Sequence, residues 1–110
     1  ADFYMLGWGV PTFDSHYIFN YLVHSQTNDR GSWNPTGYSN ADVDAMIVSL
    51  ESETDLTKRD DTIAKIWAAV QVAQMYLPIH NQVLNWGMRK DIMFDVQPED
   101  TPLFQFLTFK

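Results

Sequence analysis

The sequence predicts an α/β or α+β domain with helices packed on a small mixed sheet. Three observations carry this: an apolar, aromatic run at the start, amphipathic helical periodicity through the middle, and strand-like runs at the end. Phe3 to Leu6 reads as a short buried strand closed by Gly7-Trp8-Gly9-Val10-Pro11, the punctuation expected where a strand gives way to a loop. Asp14 or Ser15 can cap a short helix in which Tyr17, Ile18, Tyr21 and Leu22 recur on one side. From Gln26 to Tyr38 the chain is rich in Asn, Asp, Ser, Gly and Pro, which predicts a surface loop with a turn at Asn34-Pro35-Thr36-Gly37.

Ser39 stands three residues before Asp42, a capping-box spacing, and Val43, Met46, Ile47 and Leu50 follow at helical intervals. Thr57 and Asp60 repeat the arrangement, after which Ile63, Ile66, Trp67, Val70 and Ala73 trace one face of a longer helix running to Tyr76 and stopped by Pro78. Trp67 belongs to that apolar stripe and so to the core. The period then shortens, and Tyr76 to Leu84 reads as a strand with Pro78 at its beginning or edge, because proline has no N–H to donate. A loop from Asp95 to Pro102 precedes a last strand, Leu103 to Phe109. The order strand, three helices, two strands makes the sheet pairing non-local, so strands outside this segment are expected to complete it.

The chain has 110 residues, 45% apolar and 15% aromatic, enough for one compact unit, 1–110, with a modest core. Fourteen acids against seven bases give a net charge of −7, which repels nucleic-acid phosphates and anionic membranes. Cysteine is absent, which excludes thiol catalysis, disulfides and thiolate metal sites and fits an oxidising compartment. No apolar run approaches the roughly 20 residues that span a bilayer. Ala1-Asp2-Phe3 lacks the flank of a signal peptide, and a strand opening without an initiator methionine reads as a piece of a longer chain.

No constellation for catalysis or metal binding stands out. His16 and His24 are eight apart on one helical stretch, about 12 Å along the axis, too far to share a metal easily; solvent-facing rings are the simpler reading. Ser15, His80 and Asp14 could supply a nucleophilic triad, but no nucleophile elbow presents the serine. The acids Asp42, Asp44, Glu51, Glu53, Asp60 and Asp61 fall in first turns or on exposed helix faces, where capping and solvation account for them. Trp8 differs, since glycines on both sides allow a close backbone approach and its indole can wall a pocket.

Taken in order, the strand ending Gly7-Trp8, the short helix, the run Gly37-Tyr38-Ser39-Asn40-Ala41-Asp42-Val43-Asp44-Ala45-Met46-Ile47, Lys58-Arg59 opening a long helix, and Tyr76-Leu77-Pro78-Ile79-His80 make an ordered set. This set resembles the C-terminal part of the periplasmic oligopeptide-, dipeptide- and nickel-binding proteins of ABC importers, across nearly the whole chain. The resemblance implies part of one lobe of a two-lobed fold that clasps a small solute, a peptide or peptide-like molecule, and delivers it to the permease subunits in the membrane. It implies no enzymatic activity, no cofactor and no nucleic-acid partner. It also implies a periplasmic or extracytoplasmic location, with any lipid anchor and the rest of the protein on the N-terminal side.

Residue by residue, the resemblance places Gly7, Trp8, Gly9, Val10 and Pro11 at the ligand, with His80 and Gln82 after Pro78 as further contacts. Relatives carry an acid three residues after the tryptophan, where it meets a ligand α-amine; here that position is Pro11. Asp14 is the nearest acid, and it can either replace the missing charge or simply cap the helix. Two other classes remain open: a self-contained interaction module using Trp33, Phe104 and Phe106, and a hydrolase with His80 or Asp14 in a closed pocket.

Overall fold

The computed structural model describes residues 4–95 and 102–110. They divide into two compact units, one formed by residues 12–78 and the other by the segments up to Pro11 and from Ile79 onward. The described elements are helices together with a two-stranded antiparallel sheet, an α+β composition.

In the 12–78 unit, α1 covers Ser15–Ile18 and runs directly into a π-helical turn, Phe19–Val23. Asp14 is its N-cap, with the side chain accepting from His16 N at 2.8 Å. α2 covers Ala41–Ser49 and α3 Leu56–Val72. Both begin on a residue other than the predicted cap. Asn40 Oδ1 accepts from the amides of Asp42 and Val43 at 3.0 and 3.2 Å, while Ser39 Oγ turns away to bond Ser25 Oγ. Asp55 Oδ1 accepts from Thr57 and Lys58 at 3.0 and 3.2 Å, so α3 starts before Thr57 can act as its cap. It also ends earlier than predicted: Gln74 takes φ 52 and turns the chain out of the helix four residues before Pro78.

The helices pack on one another. Phe19 and Val23 from the π-helical turn, Val43 and Ile47 from α2, Leu50 just beyond it, and Ile66 and Val70 from α3 form one buried cluster. Trp67 packs edge-on against Phe19 with centroids 4.8 Å apart, the core role its helical position predicts.

The 26–38 loop is irregular, as its composition predicts, and it closes the end of the π-helical turn. A helix leaves its last carbonyls without intrahelical partners, and here each finds a donor nearby. Gly31 N donates to Asn20 O at 2.9 Å and Trp33 N to Tyr21 O at 3.0 Å. Tyr76 Oη donates to Leu22 O at 2.8 Å. The fully buried Asn34 donates from Nδ2 to His24 O at 3.1 Å and Tyr38 O at 2.9 Å, with a longer contact of 3.5 Å to Val23 O. Asn34 is itself held by Thr36 Oγ1 on Oδ1 and by Gln26 Nε2 on its backbone oxygen, both at 2.8 Å. Gly31 has φ +65, and a Cβ there would stand 2.3 Å from His24 O, so only glycine permits this approach.

The second unit carries β1, Ile92–Met93, paired antiparallel with β2, Thr108–Phe109, in the register Ile92 opposite Phe109 and Met93 opposite Thr108. The expected mixed sheet is therefore a two-stranded antiparallel one. A single 3-10 turn, Phe104–Phe106, replaces the first part of the predicted Leu103–Phe109 strand. Neither Tyr4–Leu6 nor Leu77–Leu84 forms a ladder, and Phe3, along with 96–101 of the predicted loop, lies outside the described residues. A strand exists only through its partner's hydrogen bonds, and these apolar runs find none among the described residues; Met5, Leu77, Ile79 and Val83 are exposed.

Asn34→Ala takes the side-chain donor from the carbonyls of the buried His24 and the half-buried Tyr38 and is expected to destabilise the fold by about 2–4 kcal/mol in urea denaturation. A loss below about 0.5 kcal/mol, the size of an ordinary surface change, would mean that the loop is not held through this side chain.

Candidate functional site

Seven of the eight residues assigned to ligand contact, Gly7 to Pro11 with His80 and Gln82, belong to the unit formed by the segments up to Pro11 and from Ile79 onward, and the eighth, Asp14, belongs to the 12–78 unit. Gly7 and Gly9 are exposed, and a Cβ built on either meets no atom within 4 Å. Neither glycine is demanded by packing or by a positive φ, so the space above this backbone is open to a ligand atom. Trp8 between them and Val10 after Gly9 are half-buried, and Pro11 is exposed.

His80 and Gln82 stand on exposed chain rather than in the predicted strand, but their side chains do meet: His80 Nε2 and Gln82 Oε1 lie 3.1 Å apart. Gln82 Nε2 donates to Val83 O at 3.0 Å, which orients the amide. The two side chains form a small, preset group with hydrogen-bonding capacity toward solvent.

Asp14 belongs to the 12–78 unit, and its chemistry there is settled by a partner far along the chain. Arg59, in the first turns of α3, donates from Nη2 to Asp14 Oδ1 at 3.0 Å while Nη1 stands 3.0 Å from Oδ2. This two-pronged geometry is the strongest form of a carboxylate–guanidinium contact. Together with the capping bond from His16 N, it engages both carboxylate oxygens. The Arg59 hydrogen bond holds Asp14 below the usual carboxylate range; burial opposes it, and the His16 amide adds to the lowering.

A second ion pair lies beside the first. Arg30 Nη1 stands 2.6 Å from Glu51 Oε1 and donates to Asn20 Oδ1 at 2.7 Å, and His16 Nε2 lies 3.6 Å from the same Glu51 oxygen. The Arg30 bond lowers the Glu51 pKa. Thr12, Asp14, His16, Tyr17, Leu50, Glu51 and Arg59 line an open depression of about 500 Å³ around these groups. The Asp14–Arg59 pair joins the start of α1 to α3, and the Glu51–Arg30 pair joins the end of α2 to the 26–38 loop.

Ser15 Oγ accepts from Trp67 Nε1 at 3.4 Å, and Asp14 faces Arg59, so each is occupied within its own unit. The ring of His24 is buried, with Nδ1 2.8 Å from Ser25 O and 3.6 Å from Asp44 Oδ1. Among the described residues no three His, Asp or Glu side chains converge as a metal site. Arg59, Glu51 and Arg30 escaped the sequence reading because their partners are tens of residues distant, and no local spacing signals such pairs. Compared with known proteins, the chain matches no family model, no curated protein and no solved structure.

Because the folded-state pKa of Asp14 lies below that of the unfolded chain, its pairing stabilises the fold above the unfolded value, and the contribution is lost as pH falls through the folded one. Arg59→Gln is expected to raise the Asp14 pKa measured by NMR titration, and to lower stability at neutral pH with a gap that closes in acid. An unchanged Asp14 titration in the variant would show that the guanidinium does not hold the carboxylate in solution.

Proposed function

We propose that this chain is part of one lobe of a solute-binding protein serving an ABC importer, working outside the cytoplasm. It holds a small polar solute, peptide or peptide-like, between two lobes and hands it to the membrane permease without chemical change. The observation that carries the reading is the ordered set Gly7-Trp8, Gly37 to Ile47, Lys58-Arg59 and Tyr76 to His80. The ligand wall consists of Gly7 to Pro11 with His80 and Gln82, Asp14 being bound up with Arg59.

Three features support it. The open space above Gly7 and Gly9 suits close approach of a ligand to the backbone. His80 and Gln82 offer paired polar groups of the kind that orient a bound solute. The exposed apolar runs around Met5 and from Leu77 to Val83 have the character of strands whose partners belong to the remainder of a larger lobe. In such proteins a hinge closes the lobes because the ligand makes contacts available only in the closed state.

The exposure of Trp33, Phe104 and Phe106 favours a second reading, a protein-interaction module that docks through aromatic side chains. Native mass spectrometry of the intact protein, purified without added ligand and compared before and after denaturation, separates the two. The solute-binding reading predicts a small molecule that is released on denaturation, and a loss of affinity of at least about tenfold in Trp8→Ala. A protein that holds no small molecule in a broad screen but forms a stable complex with another protein would contradict it.

A further inference from the structure

We propose that the open depression beside α1 is a binding site for a small neutral solute rich in hydroxyl groups, a monosaccharide or cyclic polyol. It lies wholly within the 12–78 unit, so it stands whether or not the chain serves an importer. Its volume of about 500 Å³ falls within the roughly 300–1,000 Å³ of small-molecule sites.

His16, in the lining, points to a ligand. Its backbone N–H is used, donating to Asp14 Oδ1 at 2.8 Å, but ring Nε2 is covered from solvent and has no hydrogen-bond partner among the described residues. Glu51 Oε1 is 3.6 Å away, beyond hydrogen-bond reach, and stands 2.6 Å from Arg30 Nη1. A covered polar atom without a partner is unfavourable, and such an exception in an otherwise bonded region marks a place where another group belongs. A hydroxyl suits that place. Its oxygen both donates and accepts, so it can answer either tautomer of His16 while bridging the ring to Glu51. The Glu51 side chain is 43% exposed, so it can turn to admit the hydroxyl.

The charges around the depression decide against an ionic ligand. An ammonium drawn to Asp14 or Glu51 meets a guanidinium at contact distance from that carboxylate, and an anion drawn to Arg59 meets Asp14 in the same way. A polyol needs no such pair to separate, because carboxylate oxygens and a guanidinium keep hydrogen-bonding capacity beyond their mutual contact. The Thr12 hydroxyl adds a further polar group, and the half-buried Tyr17 ring supplies an apolar face for the C–H side of a sugar.

The test is titration of the intact protein at neutral pH with glucose, galactose, mannose and myo-inositol, and with the charged analogues glucosamine and glucuronate, followed by calorimetry and by the imidazole proton signals in NMR. At least one of the four neutral compounds is expected to bind, to bind more tightly than either charged analogue, and to shift the His16 ring signals at saturation. His16→Phe, which keeps a ring and removes its nitrogens, is expected to weaken that binding by at least about fivefold, the loss of one hydrogen bond. No binding by any of the four, tighter binding of glucosamine or glucuronate, or a change below about twofold in His16→Phe each overturns the proposal. Should His16→Phe fail to fold by circular dichroism, the unaltered protein decides: His16 signals that stay in place while a neutral compound binds put the ligand elsewhere and overturn it.

Discussion

The 12–78 unit depends on how the short helix after Asp14 ends. Its π-helical turn leaves the carbonyls of Asn20 to His24 facing away from the helix, and an irregular loop brings the donors that satisfy them. Asn34 is the centre of this arrangement, buried and bonded in both directions. Because buried polar groups without partners are costly, the loop is constrained nearly as strictly as a helix. Gly31 follows from the same demand, since the chain must pass His24 O at a distance no side chain allows. Once the turn is closed, Phe19 and Val23 are fixed where Ile47 and Ile66 can pack on them.

Around this core two ion pairs connect elements distant in sequence. Asp14–Arg59 ties the start of α1 to α3, and Glu51–Arg30 ties the end of α2 to the loop. Both lie partly in solvent, where such pairs contribute little individually. Each leaves its carboxylate engaged by a guanidinium.

The helices were legible in the sequence because their signal is local. Apolar residues at helical spacing placed Val43, Ile47 and Leu50 on one buried face and Ile66, Trp67 and Val70 on another, as the structure has them. Caps were legible only to within a few residues: Asn40 and Asp55 act where Ser39 and Thr57 had the expected spacing, because several side chains compete for the same amides. The strands were the least legible. Tyr4–Leu6 and Leu77–Leu84 have strand composition, but strand formation depends on a partner, and composition cannot supply one. Of the site, the contact of His80 with Gln82 occurs on exposed chain and not on the strand that was expected there, and the engagement of Asp14 by Arg59 spans 45 positions and has no local mark.

The functional account turns on whether the apolar runs that stand outside any ladder here belong to a larger sheet. Hydrogen exchange on the intact protein, followed by mass spectrometry over peptides covering 4–6 and 79–84, tests this most directly. The account predicts slow exchange in both segments, comparable with α3, because neighbouring strands of the lobe receive their backbone hydrogen bonds. Exchange at the rate of free chain in both, while α3 remains protected, would contradict the assignment of this chain to the lobe of a solute-binding protein.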